Sequence, residues 1–295
     1  MMRSHTSQII SAAIAIFDAH GDIAIDEFEL YLLRLLPYVD GVLVNGTTAE
    51  FPSLSPYERT RLIQSALNVF DTSRVIAHIG AASLRQTSML LNMAADVGAT
   101  RFTAITPYYL HISEASTLHY YELLRKRTPG RLYAYIYPDV TGNDITAKTI
   151  SRFADIGIDG LKLSGMASDR VAQYHHIAPH IDIWSGNDAD FPNTISHGGA
   201  GVISGVSGVY PMAWSELRDA VMLSDKPRIA AIQQHIRNMV RVLGPSIGNI
   251  KYALRLLGIA AGQCRMPIDG VDESSMEKIR CIVSSESVDT LSFTR

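Results

Sequence analysis

Gly160-Leu161-Lys162-Leu163-Ser164 is the stretch on which the fold turns. It is a short apolar run of the kind that forms a strand buried on both faces. At its centre stands one of only six lysines among 295 residues. Burying an unpaired ammonium is costly, so the group either finds a partner or gives up its proton. Two readings are open at this point: Lys162 ends its strand in a salt bridge, or it serves as a neutral amine, a nucleophile toward carbonyl carbon.

Working outward, similar runs recur at 9–16, 41–44, 75–79, 102–105, 132–137, 181–184 and 201–204, which with 160–163 makes eight strands. Amphipathic stretches of helical length separate most of them, some with good start signals. Ser55-Pro56-Tyr57-Glu58 pairs a capping box with proline at the first helical position, and Ser83-Leu84-Arg85-Gln86 repeats the logic with glutamine. Eight strand-helix units predict an α/β chain closed into a (β/α)8 TIM barrel. Apolar-periodic segments at 213–223, 229–243, 249–257 and 276–284 complete the eighth unit and add a helical C-terminal extension. The expected division is a barrel over 1–223 and an extension packed on it over 224–295.

Composition agrees with one large core: 47% of residues are hydrophobic and 19% charged. A net charge of -3 gives no basic footprint for nucleic acid. Cys264 and Cys281 are too few for a disulfide scaffold, which points to a reducing cytoplasm. Arg3 ahead of the apolar run 9–17 resembles a signal peptide, but the same run is needed as the first strand, and no segment reaches membrane-spanning length.

In barrels of this kind chemistry gathers where the strands run into the following helices. Here Asn45-Gly46-Thr47-Thr48-Ala49-Glu50 follows the second strand, Thr106-Pro107-Tyr108-Tyr109 the fourth and Ser185-Gly186-Asn187-Asp188 the seventh, while Tyr135 and Tyr137 close the fifth. A lysine that attacks a carbonyl needs proton relays and a hold on an anionic substrate. Hydroxyls of tyrosine and threonine supply the first, and the amides of the Gly46-Thr47-Thr48 turn can supply the second. Each also has a plain structural reading, turn chemistry for the threonines and aromatic packing for the tyrosines. His78 and His197 lack metal-ligand spacing, so no metal site is expected. Asp188 and Asp190 are spaced for acid/base work, although Asp188 reads more simply as a helix N-cap. Gly198-Gly199-Ala200-Gly201 precedes the eighth strand, which argues for a tight turn over a phosphate or flavin site.

Taken together these motifs resemble the pyruvate-dependent class I aldolases and lyases, the family of dihydrodipicolinate synthase, N-acetylneuraminate lyase and 2-keto-3-deoxygluconate aldolase. The resemblance spans nearly the whole chain. It is carried by Gly46-Thr47-Thr48-Ala49-Glu50, Thr106-Pro107-Tyr108-Tyr109, Tyr135-Ile136-Tyr137-Pro138-Asp139-Val140-Thr141-Gly142, Gly160-Leu161-Lys162, Ser185-Gly186-Asn187-Asp188, and Lys251 with Arg265-Met266-Pro267. It implies that Lys162 forms an imine with pyruvate, that Tyr135 is the general acid/base and that Thr47 relays its proton. It further implies that Gly46 and Thr48 bind the carboxylate, Tyr137 faces sugar hydroxyls and the Ile203 backbone lies beside pyruvate. By the same resemblance Tyr109 reaches across a dimer interface, the assembly is a homotetramer and no cofactor is used.

The departures bear on substrate. Val140 stands where the synthases place an arginine for the acceptor carboxylate, whereas Tyr135-x-Tyr137-Pro138-x-x-Thr141-Gly142 is similar to the 2-keto-3-deoxygluconate aldolases. Ala49 replaces a family glycine, Leu163 and Gly165 alter the segment after the lysine, and Ala15-Ile16-Phe17 replaces Thr-Pro-Phe. The expected activity is cleavage or formation of a 2-keto-3-deoxy sugar acid to or from pyruvate and an aldehyde such as glyceraldehyde. Dihydrodipicolinate synthase, a sugar-acid dehydratase and a catalytically silent 2-oxo acid binder are the alternatives.

Overall fold

The computed structural model of the chain describes residues 7–292, with side-chain surroundings described for 7–284. Arg3 lies outside the described residues. Eight parallel strands close on themselves in sequence order, β1 Gln8–Ala12, β2 Gly41–Val44, β3 Val75–His78, β4 Arg101–Ile105, β5 Arg131–Ile136, β6 Gly160–Leu163, β7 Asp182–Ser185 and β8 Gly201–Ser204. The barrel helices are α1 Ile25–Leu35, α2 Pro56–Val69, α3 Leu84–Asp96, α4 Glu114–Arg125, the short α5 Pro138–Thr141, α6 Ala147–Asp155, α7 Val171–Ile177, α8 Phe191–Ser196 and α9 Pro211–Met222. The extension consists of α10 Lys226–Leu243, α11 Ile247–Leu256 and α12 Glu273–Ser292.

The expected (β/α)8 architecture is therefore present, with local differences. β1 ends at Ala12 although burial continues through Phe17. Apolar pattern reports burial, and here burial outlasts strand pairing: Ala13 still donates to the Leu43 carbonyl at 3.0 Å, after which the chain bends and Phe17 bridges Ile23. The Ser55–Glu58 capping box is complete. At α3 only half of it forms, because Gln86 accepts from the Ser83 hydroxyl instead of from its backbone. The turn expected before β8 forms at His197–Gly198, with Gly198 at φ +82°, and Gly201, the first residue of the strand, packs so closely that a Cβ there would sit 2.0 Å from the Gln8 carbonyl oxygen.

Side-chain alternation sorts each strand into two layers. Leu161 and Leu163 join the large core between barrel and helices, as do Leu132, Ala134 and Ile136 of β5. The opposite faces turn inward. Ile10, Ala12, Leu43, Ile76, Tyr133, Trp184 and Ile203 fill the barrel interior, which makes it a packed floor instead of a pore. Above that floor the same alternation brings Tyr135 and Lys162 inward on neighbouring strands, in direct register. The extension shares the outer core through Ile236, Met239, Leu243, Ile250, Ala253 and Leu254.

Candidate active site

Lys162 is 5% exposed, and its Nζ lies 3.8 Å from the centre of the Tyr135 ring. Among the described residues no carboxylate pairs with it and no hydrogen bond reaches it, so the salt-bridge reading of this lysine fails. The amine instead faces an aromatic surface, with which a cation interacts favourably and a neutral amine without penalty.

Tyr135 is buried, and its Oη lies 3.1 Å from Thr47 Oγ1. Thr47 and Thr48 open a single helical turn, Thr47–Ala49, after β2, with Gly46 as its cap. The first amides of such a turn have no acceptor within it, so this corner offers donors to an anion. Thr48 rests against the β8 exit, close enough that a Cβ on Gly205 would come within 3.2 Å of Thr48 Oγ1. Ile203, 4% exposed, lies just before that exit. Tyr137 stacks on Tyr135 with ring centres 6.1 Å apart and planes 26° apart. Burial raises its hydroxyl pKa, and neighbouring Tyr135 and Asp139 add to the rise.

The β5 and β6 loops are latched together above these rings. Asp139 Oδ2 accepts the Met166 amide at 2.9 Å. Gly165, at φ +59°, has no room for a side chain, since a Cβ would sit 1.9 Å from Asp139 Oδ2 and 2.8 Å from Tyr137 Cε2. Of the eight residues singled out from sequence, the structure brings Lys162, Thr47 and Tyr137 around Tyr135, with Gly46 and Thr48 on the turn of Thr47, while Ile203 belongs to the packed floor of the barrel. Tyr109 stands apart. At φ +77° and 93% exposed, it projects away from its own chain without a hydrogen bond among the described residues.

Three features escaped the sequence reading. His78, considered only as a metal ligand, is wholly buried behind Tyr135, with ring centres 6.0 Å apart. Burial, Arg59 and Lys162 hold its pKa well below the ordinary histidine value, so it is a neutral wall that accepts the Ile105 amide at 3.3 Å. Arg59 reaches in from α2 to donate to the His78 and Gly80 carbonyls at 2.6 and 3.1 Å. The position of His78 as the last residue of β3 is the signal that could have placed it here. The second is the buried pair Glu50–Lys251, 2.6 Å apart. The third corrects an expectation: Asp188 is not a helix cap. Asp190 precedes α8, while the Asp188 carboxylate turns inward and accepts the Val206 amide at 3.2 Å. Burial raises its pKa to about 6, opposed by hydrogen bonds from Val206, Ser204 and Gly205 and by the charge of Lys162. The Asp190 carboxylate accepts from Asn193 Nδ2 at 2.9 Å.

Among the described residues no three His, Cys, Asp or Glu side chains are grouped to hold a metal ion. A barrel mouth that presents an amine beside tyrosine and threonine hydroxyls suits carbonyl substrates, and the class so defined is a carbon–carbon lyase of the class I aldolase type. The chain belongs to the dihydrodipicolinate synthetase family, whose profile matches residues 5–286. A 4-hydroxy-tetrahydrodipicolinate synthase from Kosmotoga olearia is 30% identical over 282 residues, 92% of this chain and 95% of that one. A prophage protein of the dihydrodipicolinic acid synthase family from E. coli, solved in complex with pyruvate, is 26% identical with a TM-score of 0.88, covering 95% of this chain and 98% of that one. A variant of 2-keto-3-deoxygluconate aldolase from Sulfolobus solfataricus shares the fold at a TM-score of 0.88 and 22% identity, covering 97% and 98%.

Proposed function

We propose that the chain cleaves, or reversibly forms, a 2-keto-3-deoxy sugar acid through an imine on Lys162, with pyruvate and a hydroxyaldehyde such as glyceraldehyde as the partners. The observation that carries this reading is the Lys162–Tyr135–Thr47 arrangement, an unpaired buried amine beside a two-hydroxyl relay. The substrate carboxylate docks on the Gly46-Thr47-Thr48 turn and beside Ile203. Lys162 then attacks C2 of the keto acid, and the keto oxygen leaves as water with protons passed by Tyr135. The resulting iminium draws the electrons of the C3–C4 bond onto C3. The C4 hydroxyl gives its proton to the relay, and the aldehyde departs. Protonation of C3 and hydrolysis of the imine release pyruvate and restore the lysine.

Tyr109, exposed at its loop tip, completes the relay of a second protomer in a homotetramer under this reading. The pyruvate complex of the E. coli relative supports the donor half. For the acceptor half the support is Val140, an uncharged residue 54% exposed where the synthases place arginine, together with the Tyr137 hydroxyl. A second reading, condensation of pyruvate with aspartate semialdehyde, is favoured by the likeness to the Kosmotoga olearia synthase.

Borohydride reduction in the presence of pyruvate tests the mechanism. One adduct is expected, on Lys162, with loss of activity, and none on the exposed Lys126, Lys148, Lys226 and Lys278. An adduct elsewhere, or none, refutes the imine.

A further inference from the structure

We infer that Asp139 is a charge filter for the acceptor, a specificity-determining residue that turns away aldehydes ending in phosphate and so narrows the substrate class of this site to unphosphorylated sugar acids; this rests on the imine reading above. A path of contacts leads from the amine to the carboxylate. Lys162 Nζ lies 3.8 Å from the centre of the Tyr135 ring, and Tyr137 stacks on Tyr135 at 6.1 Å. The edge of Tyr137 and the Asp139 carboxylate then crowd a single point, since a Cβ on Gly165 would stand 2.8 Å from Tyr137 Cε2 and 1.9 Å from Asp139 Oδ2. Although exposed, the carboxylate is held in place, because Oδ2 accepts the Met166 amide at 2.9 Å. With the carboxylate end of the keto acid on the Gly46-Thr47-Thr48 turn and its hydroxyls toward Tyr137, the far end of the chain, which carries either a hydroxyl or a phosphate, extends toward Asp139.

The surrounding loops do not offset that charge. Among the described residues, the eight connections from strand to helix hold no lysine and one arginine, Arg170, and both Asp144 oxygens engage that one, at 2.7 and 2.8 Å. Arg59 is engaged with the His78 and Gly80 carbonyls, and Lys251 and Arg265 with Glu50 and Glu58. His111 turns to the Gly142 carbonyl at 3.2 Å. Lys162 is the covalent centre and serves every acceptor alike. Acids meanwhile stand on the connections after β5, β6 and β7: Asp139 and Asp144, then Asp169, then Asp188 and Asp190. A phosphate brings close to two negative charges at neutral pH and is ordinarily met by arginine, lysine or backbone amides. Here it would meet a fixed carboxylate. Pyruvate avoids the filter, because its one carboxylate docks at the threonine turn.

The rival role for Asp139 is only to latch the β5 and β6 loops. Condensation of pyruvate is measured with glyceraldehyde, glyceraldehyde 3-phosphate and erythrose, the last a longer but neutral acceptor. The wild-type protein should favour glyceraldehyde over its phosphate by about 10- to 100-fold in kcat/KM at low salt, with erythrose penalised far less. Asp139→Asn, whose side-chain oxygen still accepts the Met166 amide, should narrow that gap about tenfold, and Asp139→Glu should keep most of it. Raising sodium chloride from about 20 to about 500 mM should narrow the wild-type gap severalfold and leave that of the asparagine variant nearly flat. The salt effect needs no substitution, so it decides the matter even where a variant fails to fold. A gap that neither salt nor Asp139→Asn alters, or a penalty on erythrose equal to that on the phosphate, overturns the filter in favour of the latch or of acceptor size. Borohydride trapping with pyruvate alone separates the two readings: a Lys162 adduct together with the phosphate accepted as readily as glyceraldehyde refutes the filter alone, whereas no adduct refutes the imine and the filter with it.

Discussion

Glu50 and Lys251 meet at 2.6 Å with both side chains out of solvent, and the pair joins the turn that follows β2 to a helix of the C-terminal extension. Burial pulls the Lys251 pKa down while Glu50 pulls it back up, and the Gln263 carbonyl accepts a further proton from Nζ at 2.9 Å. The Arg265 amide donates to the other Glu50 oxygen at 2.8 Å. Removing one partner strands a buried charge, which typically costs 3–5 kcal/mol, roughly. Lys251→Met should therefore lower unfolding stability by about that amount in urea, and Glu50→Gln added to it should restore part of the loss. A single-variant loss under about 1 kcal/mol would mean that the pair is not the anchor described here.

Tyr135→Phe keeps the ring beneath Lys162 and deletes the hydroxyl that meets Thr47. A positioned acid/base group supplies about 10²–10⁴ in rate, so kcat should fall by that order with stability little changed. Steady-state kinetics alongside a thermal melt checks this, and a full-rate phenylalanine variant removes Tyr135 from the relay.

Acceptor choice follows from Val140 and Tyr137. A lost charge-assisted hydrogen bond is worth about 1.5–3 kcal/mol, so neutral hydroxyaldehydes should exceed aspartate semialdehyde by about one to two orders of magnitude in kcat/KM. Tyr137→Phe should impair the hydroxyaldehyde reaction more than adduct formation with pyruvate alone. Aspartate semialdehyde as the best acceptor would instead establish the synthase reading.

Acid should loosen the junction through Glu58. Burial raises its pKa, but hydrogen bonds from Arg265 and Ser55 outweigh this and hold it below the ordinary value of 4.5. A carboxyl with a lowered folded-state pKa stabilises the protein fully above its unfolded value and loses that contribution as pH falls through the folded one. Urea midpoints should thus decline as pH drops below about 4.5, and Glu58→Gln should show a shallower decline over the same window. Identical pH profiles for the two proteins would contradict this.

The barrel could be read from sequence because its strands bury both faces: β2, β6 and β8 are continuous apolar runs with no competing helical period. Lys162 was legible for the same reason, as the one lysine inside such a run. Where the pattern misled, at 13–16, apolar character recorded burial without pairing. Asp188 was misread because helix caps and inward-turned carboxylates use the same residue at nearly the same place, and only the β8 amides decide between them. His78, Arg59 and the Glu50–Lys251 pair depend on contacts between distant segments, which no local window contains.

Arg265 extends the same junction, donating to the Gly21 and Ser53 carbonyls at 2.9 and 2.7 Å and to the Glu58 carboxylate. Barrel and extension consequently cannot be traded as cassettes. A chimera spliced near residue 224 from two relatives would pair the Glu50 corner of one with the lysine and arginine of another, and any shift in the spacing between them would misplace the threonine turn. Recombination within this lineage is expected to succeed at crossovers that keep residues 50 and 251–265 from the same parent, however well the two barrels superimpose.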